Sequence, residues 1–388
     1  MKFDLVIEGK IVGLERLFEA QIGITDGIIK KIKRQGLEGE NRITVKNGLI
    51  FPGFIDPHAH LREDGSHKWD YKEDFETGSK AAAHGGVTTV IDMPNNFQSS
   101  VTEERILEKI KLAKKAVVDV FFHGGVSKEN LNEVNKMSKH IVGYKVYLSE
   151  TTGNLSLDHG VLGVALKNIS ETSLPAIFHT DETQKILKEL MDLSNKLKLK
   201  THIAHISRAL SIDALKNTSL TYEVTPHHIM FDESDVKKIK FLTVNPSIGK
   251  KADRLGILNV LKTGKVFSLA TDHAPHTLED KENDAKGVPS LDVYGNMVAW
   301  LIKELKLDPM YLARLTSFNS AKLFRLNKRG EIKEGYLGNI SVVEFESERI
   351  NSENHFTKCR WSPYDDMTFP GRVTYTILNG ETIYLNNS

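Results

Sequence analysis

Short apolar runs alternate with amphipathic segments along most of the chain. From residue 49 onward about eight such runs each end in polar residues: LIFPGFID, VTTVIDM, VVDVFFH, IVGYKVYL, LPAIFH, KTHIAHI, LTYEVTPHH and VFSLATDH. Between them, segments such as TEERILEKIKLAKKA and DETQKILKELMDLSNKL carry Leu and Ile three and four positions apart, which is typical of helices with one buried face. Strands that alternate with helices in this way predict an α/β fold, and eight units predict a (β/α)8 TIM-like barrel.

The two ends of the chain have a different pattern. Residues 1–52 and 335–388 contain short stretches of alternating polar and apolar residues with turns between them, such as VIEGKIVG and RVTYTILNGETIYL. This alternation is typical of strands with one buried face. We expect both ends to form one small β domain, and residues 53–334 to form the barrel.

Ionisable side chains recur at the carboxyl ends of the predicted barrel strands. They are His58, His60, Asp92, Lys145, His179, His205 and Asp272. The carboxyl ends of barrel strands share one rim, where barrel enzymes carry their active sites. The sequence therefore predicts one active site built from residues that are far apart along the chain.

The stretch IDPHAHLRED contributes two histidines that are one residue apart. Because strand side chains alternate between two faces, His58 and His60 point the same way. Neutral imidazole is a common ligand of zinc and related divalent ions, so the pair fits a metal site. An isolated pair of this kind also occurs on ordinary solvated strands, and only the other ionisable residues at the same predicted rim favour the metal site.

Composition narrows the classes of function. Lys and Arg total 52 and Asp and Glu total 51, so the formal net charge of +1 argues against a general nucleic-acid or anionic-membrane binder. The single cysteine, Cys359, excludes an internal disulfide framework and a thiolate-rich metal site. The chain shows neither a signal-peptide core nor a long apolar span, and we expect a cytoplasmic protein.

Three longer stretches resemble a known family. PGFIDPHAHLRE, ETGSKAAAHGGVTTVIDMPNN and ATDHAPHTLEDK are similar to motifs of the dihydroorotase family, within the metal-dependent amidohydrolase superfamily. The similarity covers nearly the whole chain. It implies a hydrolase of a cyclic amide bond that interconverts N-carbamoyl-L-aspartate and L-dihydroorotate in pyrimidine biosynthesis.

The resemblance also implies two divalent metal ions, with zinc as the expected metal. His58 and His60 would bind one ion, and His179 and His205 the other. His202 competes with His205, because residues three apart on a strand point to opposite faces and only one of them faces the barrel centre. The family pattern favours His205.

Lys145 and Asp272 complete the implied metal site. An ammonium beside two dications is disfavoured, so we expect a neutral Lys145 amine, although a lysine that reaches solvent past the strand end is the alternative. The resemblance implies that Lys145 takes up carbon dioxide to become a carbamate that bridges the metals. It also implies that Asp272 contacts a metal and is the catalytic acid and base for a hydroxide held between the metals.

Arg62 fits the substrate carboxylate that lies outside the ring, because its planar guanidinium donates two parallel hydrogen bonds. The resemblance adds Asn95 and His276 to this substrate-binding group. It further implies that Thr151 and Thr152 lie at the tip of a mobile lid. A turn residue, a solvated histidine and ordinary loop residues are the respective alternatives.

Some positions depart from the family pattern. Asp64 occupies a usual proline position, while Ser247 and Gly249 occupy the positions of a common proline and arginine. Two other functions also stay open on the sequence. A related enzyme for hydantoins, dihydropyrimidines or allantoin would share the metal site but generally lacks Arg62, and a non-catalytic scaffold would typically have lost metal ligands that this chain retains. The sequence does not determine whether the chain forms a homo-oligomer or associates with aspartate transcarbamoylase.

Overall fold

The computed structural model describes residues 2–149 and 155–386, and the chain begins with short strands. These are β1 (Lys2–Val12), β2 (Leu17–Thr25), β3 (Ile28–Lys33), β4 (Glu38–Thr44) and β5 (Gly48–Pro52). β2 pairs antiparallel with both β1 and β3, whereas β4 and β5 run parallel to β1. The apolar side chains of Leu5, Ile7 and Ile11 are buried, so the predicted alternation gives this sheet an apolar core of its own.

The middle of the chain forms the barrel. Its strands in the described residues are β6 (Phe54–Ala59), β7 (Val87–Asp92), β8 (Asp119–Val126), β9 (Gly143–Tyr147), β10 (Ala176–His179), β11 (Thr201–Ile203), β12 (Thr221–Val224) and β13 (Ser268–Leu269). Each pairs in parallel with the next from β6 to β13, and a parallel bridge between Ala59 and His273 closes the circle. The predicted (β/α)8 barrel is confirmed.

Helices connect the barrel strands and share one apolar cluster with them. Their bounds are α1 (Phe75–His84), α2 (Glu103–Leu112), α3 (Val134–Met137), α4 (His159–Thr172), α5 (Gln184–Leu197), α6 (Ala209–Leu215), α7 (Pro226–Met230), α8 (Glu233–Val236), α9 (Lys251–Lys262), α10 (Leu278–Glu282), α11 (Tyr294–Lys303), α12 (Pro309–Ala313) and α13 (Asn319–Leu323). Thr102, Asp158 and Thr183 start α2, α4 and α5 by accepting hydrogen bonds from first-turn backbone N–H groups. Within residues 2–149 and 155–386, no helix has the length and apolar character needed to cross a membrane.

The chain then returns to the small sheet. The remaining strands are β14 (Ile340–Glu344), β15 (Glu348–Arg349), β16 (Thr368–Phe369), β17 (Arg372–Leu378) and β18 (Glu381–Leu385). β14 pairs antiparallel with β5 and with β17, and β17 pairs with β18, so both ends of the chain build one sheet, as predicted. Between β14 and β17 the chain also contacts the barrel, where the Trp361 indole donates to the carbonyl of His276. The domain boundaries after residues 52 and 334 stay predictions.

Candidate active site

The two histidines of β6 lie beside Asp272 at the carboxyl end of the barrel. The ring centroids of His58 and His60 are 5.3 Å apart. Oδ1 of Asp272 is 3.1 Å from Nε2 of His60 and 3.4 Å from Nε2 of His58. One potential ligand atom from each of the three residues lies within 4.8 Å of the others, an arrangement that can hold a divalent metal ion.

His179 and His205 form a second pair next to the first. Nδ1 of His179 is 2.9 Å from Nε2 of His205, and the His205 ring centroid is 5.2 Å from that of His58. The four rings therefore follow one another around the barrel rim. His202, the competing residue, is hydrogen-bonded to Thr221 and to Glu223.

Burial keeps these imidazoles neutral. Burial lowers the pKa of His58 and His60, and it lowers the pKa of His179 to about 3, with the charge of Lys145 acting in the same direction. Neutral imidazole is the form that binds metals. Burial also raises the pKa of Asp272, although His58 and Lys145 oppose this shift.

Lys145 is fully buried in β9. Its Nζ has no hydrogen-bond partner among the described residues, and burial lowers the pKa of this amine to about 8. An unpaired buried ammonium is costly, so burial increases the neutral fraction of this amine, while a pKa of about 8 still leaves most of it charged at pH 7. The four buried imidazoles and the Asp272 carboxylate form a donor set that fits divalent metal ions, and the Lys145 amine is close enough to lower the pKa of His58.

Glu223 in β12 was not among the predicted site residues. Its Oε1 is 2.5 Å from Nδ1 of His58 and accepts the backbone N–H of His205, while its Oε2 is 3.1 Å from Nε2 of His202. Because Nδ1 of His58 is engaged, its Nε2 is available to a metal ion. Burial acts to raise the pKa of Glu223, but the neighbouring histidines outweigh it and lower the pKa. An acidic residue inside an apolar strand is the sequence signal that could have identified Glu223.

Arg62 and two of its predicted partners also meet here. Nη2 of Arg62 is 3.1 Å from Nε2 of His276, and Oδ1 of Asn95 is 2.8 Å from Nδ1 of His60. Burial lowers the pKa of Arg62 to about 10, so the guanidinium stays charged at neutral pH. Its Nε has no hydrogen-bond partner among the described residues, which suits the binding of an anion. Thr151 and Thr152 lie outside the described residues.

A cavity of about 370 Å³ brings the site together. It is lined by the four histidines, Asp272, Arg62 and Asn95, and also by Tyr147, Asn245, Ala274 and residues 284–287. Tyr147 is a residue that the sequence reasoning missed, although it lies two positions from Lys145 and so on the same face of β9. Its buried hydroxyl has no hydrogen-bond partner among the described residues. The cavity has the size and polarity of a small-molecule site.

Three residues of the site have left-handed backbone conformations. The φ angles of Arg62, His205 and Asp272 are 63°, 36° and 45°. Residues with side chains rarely adopt this region, and such backbones concentrate at functional sites. Asp92 supports the first of these turns, because its Oδ1 accepts the backbone N–H of Leu61 while its other oxygen pairs with Lys109.

One departure from the family pattern has a structural counterpart. A Cβ atom added at Gly249 would lie 2.5 Å from Nη1 of Arg208, and Nη2 of Arg208 donates to Ser247 Oγ at 2.9 Å. The guanidinium of Arg208 therefore occupies the space beside Gly249, where the family commonly has an arginine of its own.

Comparisons with known proteins agree with this geometry. The profile of the amidohydrolase family matches residues 49–383. The dihydroorotase of Pyrococcus abyssi (strain GE5 / Orsay) is 32% identical, with 98% of this chain and 95% of that protein covered. The dihydroorotase of Methanosphaera stadtmanae is 31% identical, with 94% and 93% covered.

A solved structure shows the same fold. The L-hydantoinase (dihydropyrimidinase) from Arthrobacter aurescens superposes with a TM-score of 0.92 at 21% sequence identity, covering 100% of this chain and 97% of that one. At this identity the likeness bears on the fold alone. Together with the full-length sequence relatives and the family profile, it leads to one conclusion: the chain belongs to the amidohydrolase family.

Proposed function

We propose that this protein is a dihydroorotase, which interconverts N-carbamoyl-L-aspartate and L-dihydroorotate in pyrimidine biosynthesis. One observation carries the proposal: a metal-binding donor set and the buried guanidinium of Arg62 line the same cavity. The donor set accounts for cleavage of a cyclic amide, and the guanidinium accounts for the carboxylate outside the ring. The full-length similarity to proteins named dihydroorotase supports this substrate.

The metal site would hold two divalent ions, which we take to be zinc. Its ligands would be His58, His60, His179, His205, Asp272 and a carbamate formed by Lys145 and carbon dioxide. The buried, unpaired amine of Lys145 supports the carbamate, because only a neutral amine reacts with carbon dioxide. When bound, such ions polarise a carbonyl group and lower the pKa of water.

Asp272 would be the general acid in hydrolysis and the general base in ring closure. Its carboxylate is buried beside His58 and His60, and burial raises its pKa, so the carboxylate accepts a proton more readily than an exposed one does. In hydrolysis it gives the proton to the departing ring nitrogen. In ring closure it accepts the proton of the attacking ureido nitrogen.

Arg62, Asn95 and His276 would orient the ring through its free carboxylate. Arg62 would donate to that group, and the 2.8 Å contact of Asn95 with His60 supports a carboxylate position beside the metal ligands. Burial, followed by the charges of Arg62 and Lys72, strongly lowers the pKa of His276, so this ring is neutral. Orientation of this kind raises the reaction rate, because the binding energy holds the reacting carbonyl in one position.

A hydantoin- or dihydropyrimidine-hydrolysing enzyme is the second candidate, because hydrolysis of those rings would use the same metal site. The rings that such enzymes hydrolyse lack the carboxylate outside the ring. Their binding would leave the Arg62 guanidinium buried without an anionic partner, which is energetically costly.

The test is to assay the zinc-loaded protein with bicarbonate in both directions. Ring closure converts two carboxylates to one and consumes a proton, so the equilibrium should shift toward L-dihydroorotate as the pH falls. We expect conversion of both compounds and this shift. Turnover of hydantoin without conversion of either compound would refute the proposal.

A further inference from the structure

Lys281 is a buried lysine that none of the roles above uses. It belongs to α10, which follows His276 closely, and it is 5% exposed. Its Nζ donates to Thr243 O at 2.9 Å, Thr243 Oγ1 at 2.8 Å, Ala285 O at 2.8 Å and Gly287 O at 2.9 Å. An ammonium has three hydrogens, so these four oxygens satisfy all of them.

The four oxygens belong to two segments that both line the cavity. Ala285 and Gly287 are lining residues, and so is Asn245, two residues beyond Thr243. The backbone N–H of Gly287 also donates to Thr243 O at 2.9 Å. The ammonium of Lys281 therefore joins the two segments directly behind the surface that a bound molecule would touch.

Close packing connects this junction to the substrate-binding group. Gly287 has a φ of 136°, and a Cβ atom at this position would lie 2.4 Å from Ala274 O and 3.2 Å from Cδ2 of His276. Residues 285–287 thus lie against the segment that carries His276. A movement of these residues would change both the cavity wall and the position of His276.

The hydrogen bonds of Lys281 offset the energetic cost of burying its charge. Burial, followed by the charge of Lys286, lowers the pKa of Lys281 to about 7, while Asp284 and Cys359 act in the opposite direction. The four oxygen acceptors and the ring of Trp361, whose centroid is 5.7 Å from Nζ, favour the charged amine. Without these acceptors a charged lysine at this depth would be destabilising.

We propose that Lys281 is a positioning residue for substrate binding, which fixes residues 285–287 against Thr243 and so sets the cavity wall beside His276. It acts through the backbone and does not touch the substrate. The inference rests on the proposed function for the identity of the substrate alone.

The test is Lys281→Met, which keeps an unbranched side chain one atom shorter than that of lysine and removes every donor. We expect the KM for L-dihydroorotate to rise about tenfold, equivalent to about 1.4 kcal/mol. kcat and bound zinc should change much less, because the metal ligands lie on other segments. Backbone hydrogen exchange of residues 284–288, measured without substrate, should become faster.

Lys240→Met is the matched control, because it is the same substitution on the neighbouring segment at a side chain that is 75% exposed. It should leave KM and exchange unchanged. Thr243→Val removes only the Oγ1 acceptor and should shift both quantities in the same direction by less, so it serves as the test if Lys281→Met does not fold.

The two proposals fail in different ways. Wild-type turnover of L-dihydroorotate, combined with unchanged KM and exchange in Lys281→Met and Thr243→Val, would overturn the positioning role. The positioning role would also be overturned if Lys281→Met lowered kcat only in proportion to the loss of folded protein and left KM unchanged. Faster exchange in a protein that never converts L-dihydroorotate would support the junction and refute the proposed function.

Discussion

Arg62, His205 and Asp272 each follow a barrel strand and each has a positive φ. Such conformations cost about 1–3 kcal/mol per residue, so neighbouring contacts must stabilise them. Glu223 does this for His205 by accepting its backbone N–H. The sequence indicated these three residues through their motifs and strand positions, but it did not indicate their backbone, because none of them is a glycine or asparagine.

A substitution of Tyr147 should change catalysis and stability in opposite directions. Its buried hydroxyl lines the cavity and has no hydrogen-bond partner among the described residues. We predict that Tyr147→Phe lowers kcat/KM for L-dihydroorotate about tenfold, because a donor to a ring oxygen is lost. Tm should stay the same or rise, because a buried unpaired hydroxyl is removed. A lower Tm with unchanged kcat/KM would show that the hydroxyl has a purely structural partner.

At the scale of elements, Glu223 of β12 connects two other barrel strands, β6 and β11, that carry histidines of the site. Glu223 contacts His58 of β6, His202 of β11 and the backbone of His205, which follows β11. The apolar run LTYEVTPHH predicted this strand correctly. It did not predict the contacts of Glu223, because His58 is 165 positions away and only the closed barrel brings the two residues together.

Glu223→Gln should therefore weaken metal binding. An amide at this position cannot accept as strongly from Nδ1 of His58, and loss of such support typically costs 10–100-fold in metal affinity. Titration of the apoprotein with zinc measures this change. Glu346→Gln is the control, because the side chain of Glu346 is 56% exposed and forms a surface ion pair with Arg372. Equal zinc affinity in both variants would contradict the role of Glu223.

At the scale of the whole molecule, the small sheet and the barrel are packed together. Ser341 of β14 accepts the backbone N–H of Phe54 in β6 and donates to the carbonyl of Gly86. Alternation along the chain predicted both parts. It did not predict that Trp361, within the carboxyl-terminal region, reaches the barrel and His276, because that contact spans 85 residues and leaves no local pattern.

Gly295→Ala tests the junction between the two parts. The added Cβ would lie 2.1 Å from Cγ2 of Val373 in β17, and overpacking of this kind typically costs about 1–3 kcal/mol. Denaturant unfolding should show that loss. Gly163→Ala in α4 meets nothing within 4 Å and should stabilise the protein by about 0.5–1 kcal/mol. Unchanged stability in Gly295→Ala would mean that the two parts do not pack as described.

The most direct measurement compares kcat/KM for L-dihydroorotate and for dihydrouracil, the same ring without the carboxylate, in the wild type and in Arg62→Met. We predict a wild-type preference for L-dihydroorotate of about a hundredfold or more, because the buried guanidinium requires an anionic partner. Arg62→Met should lose most of that preference and keep the zinc affinity of the wild type. A wild type that prefers dihydrouracil, or a variant that keeps the full preference, would contradict the assignment of Arg62 and of the substrate.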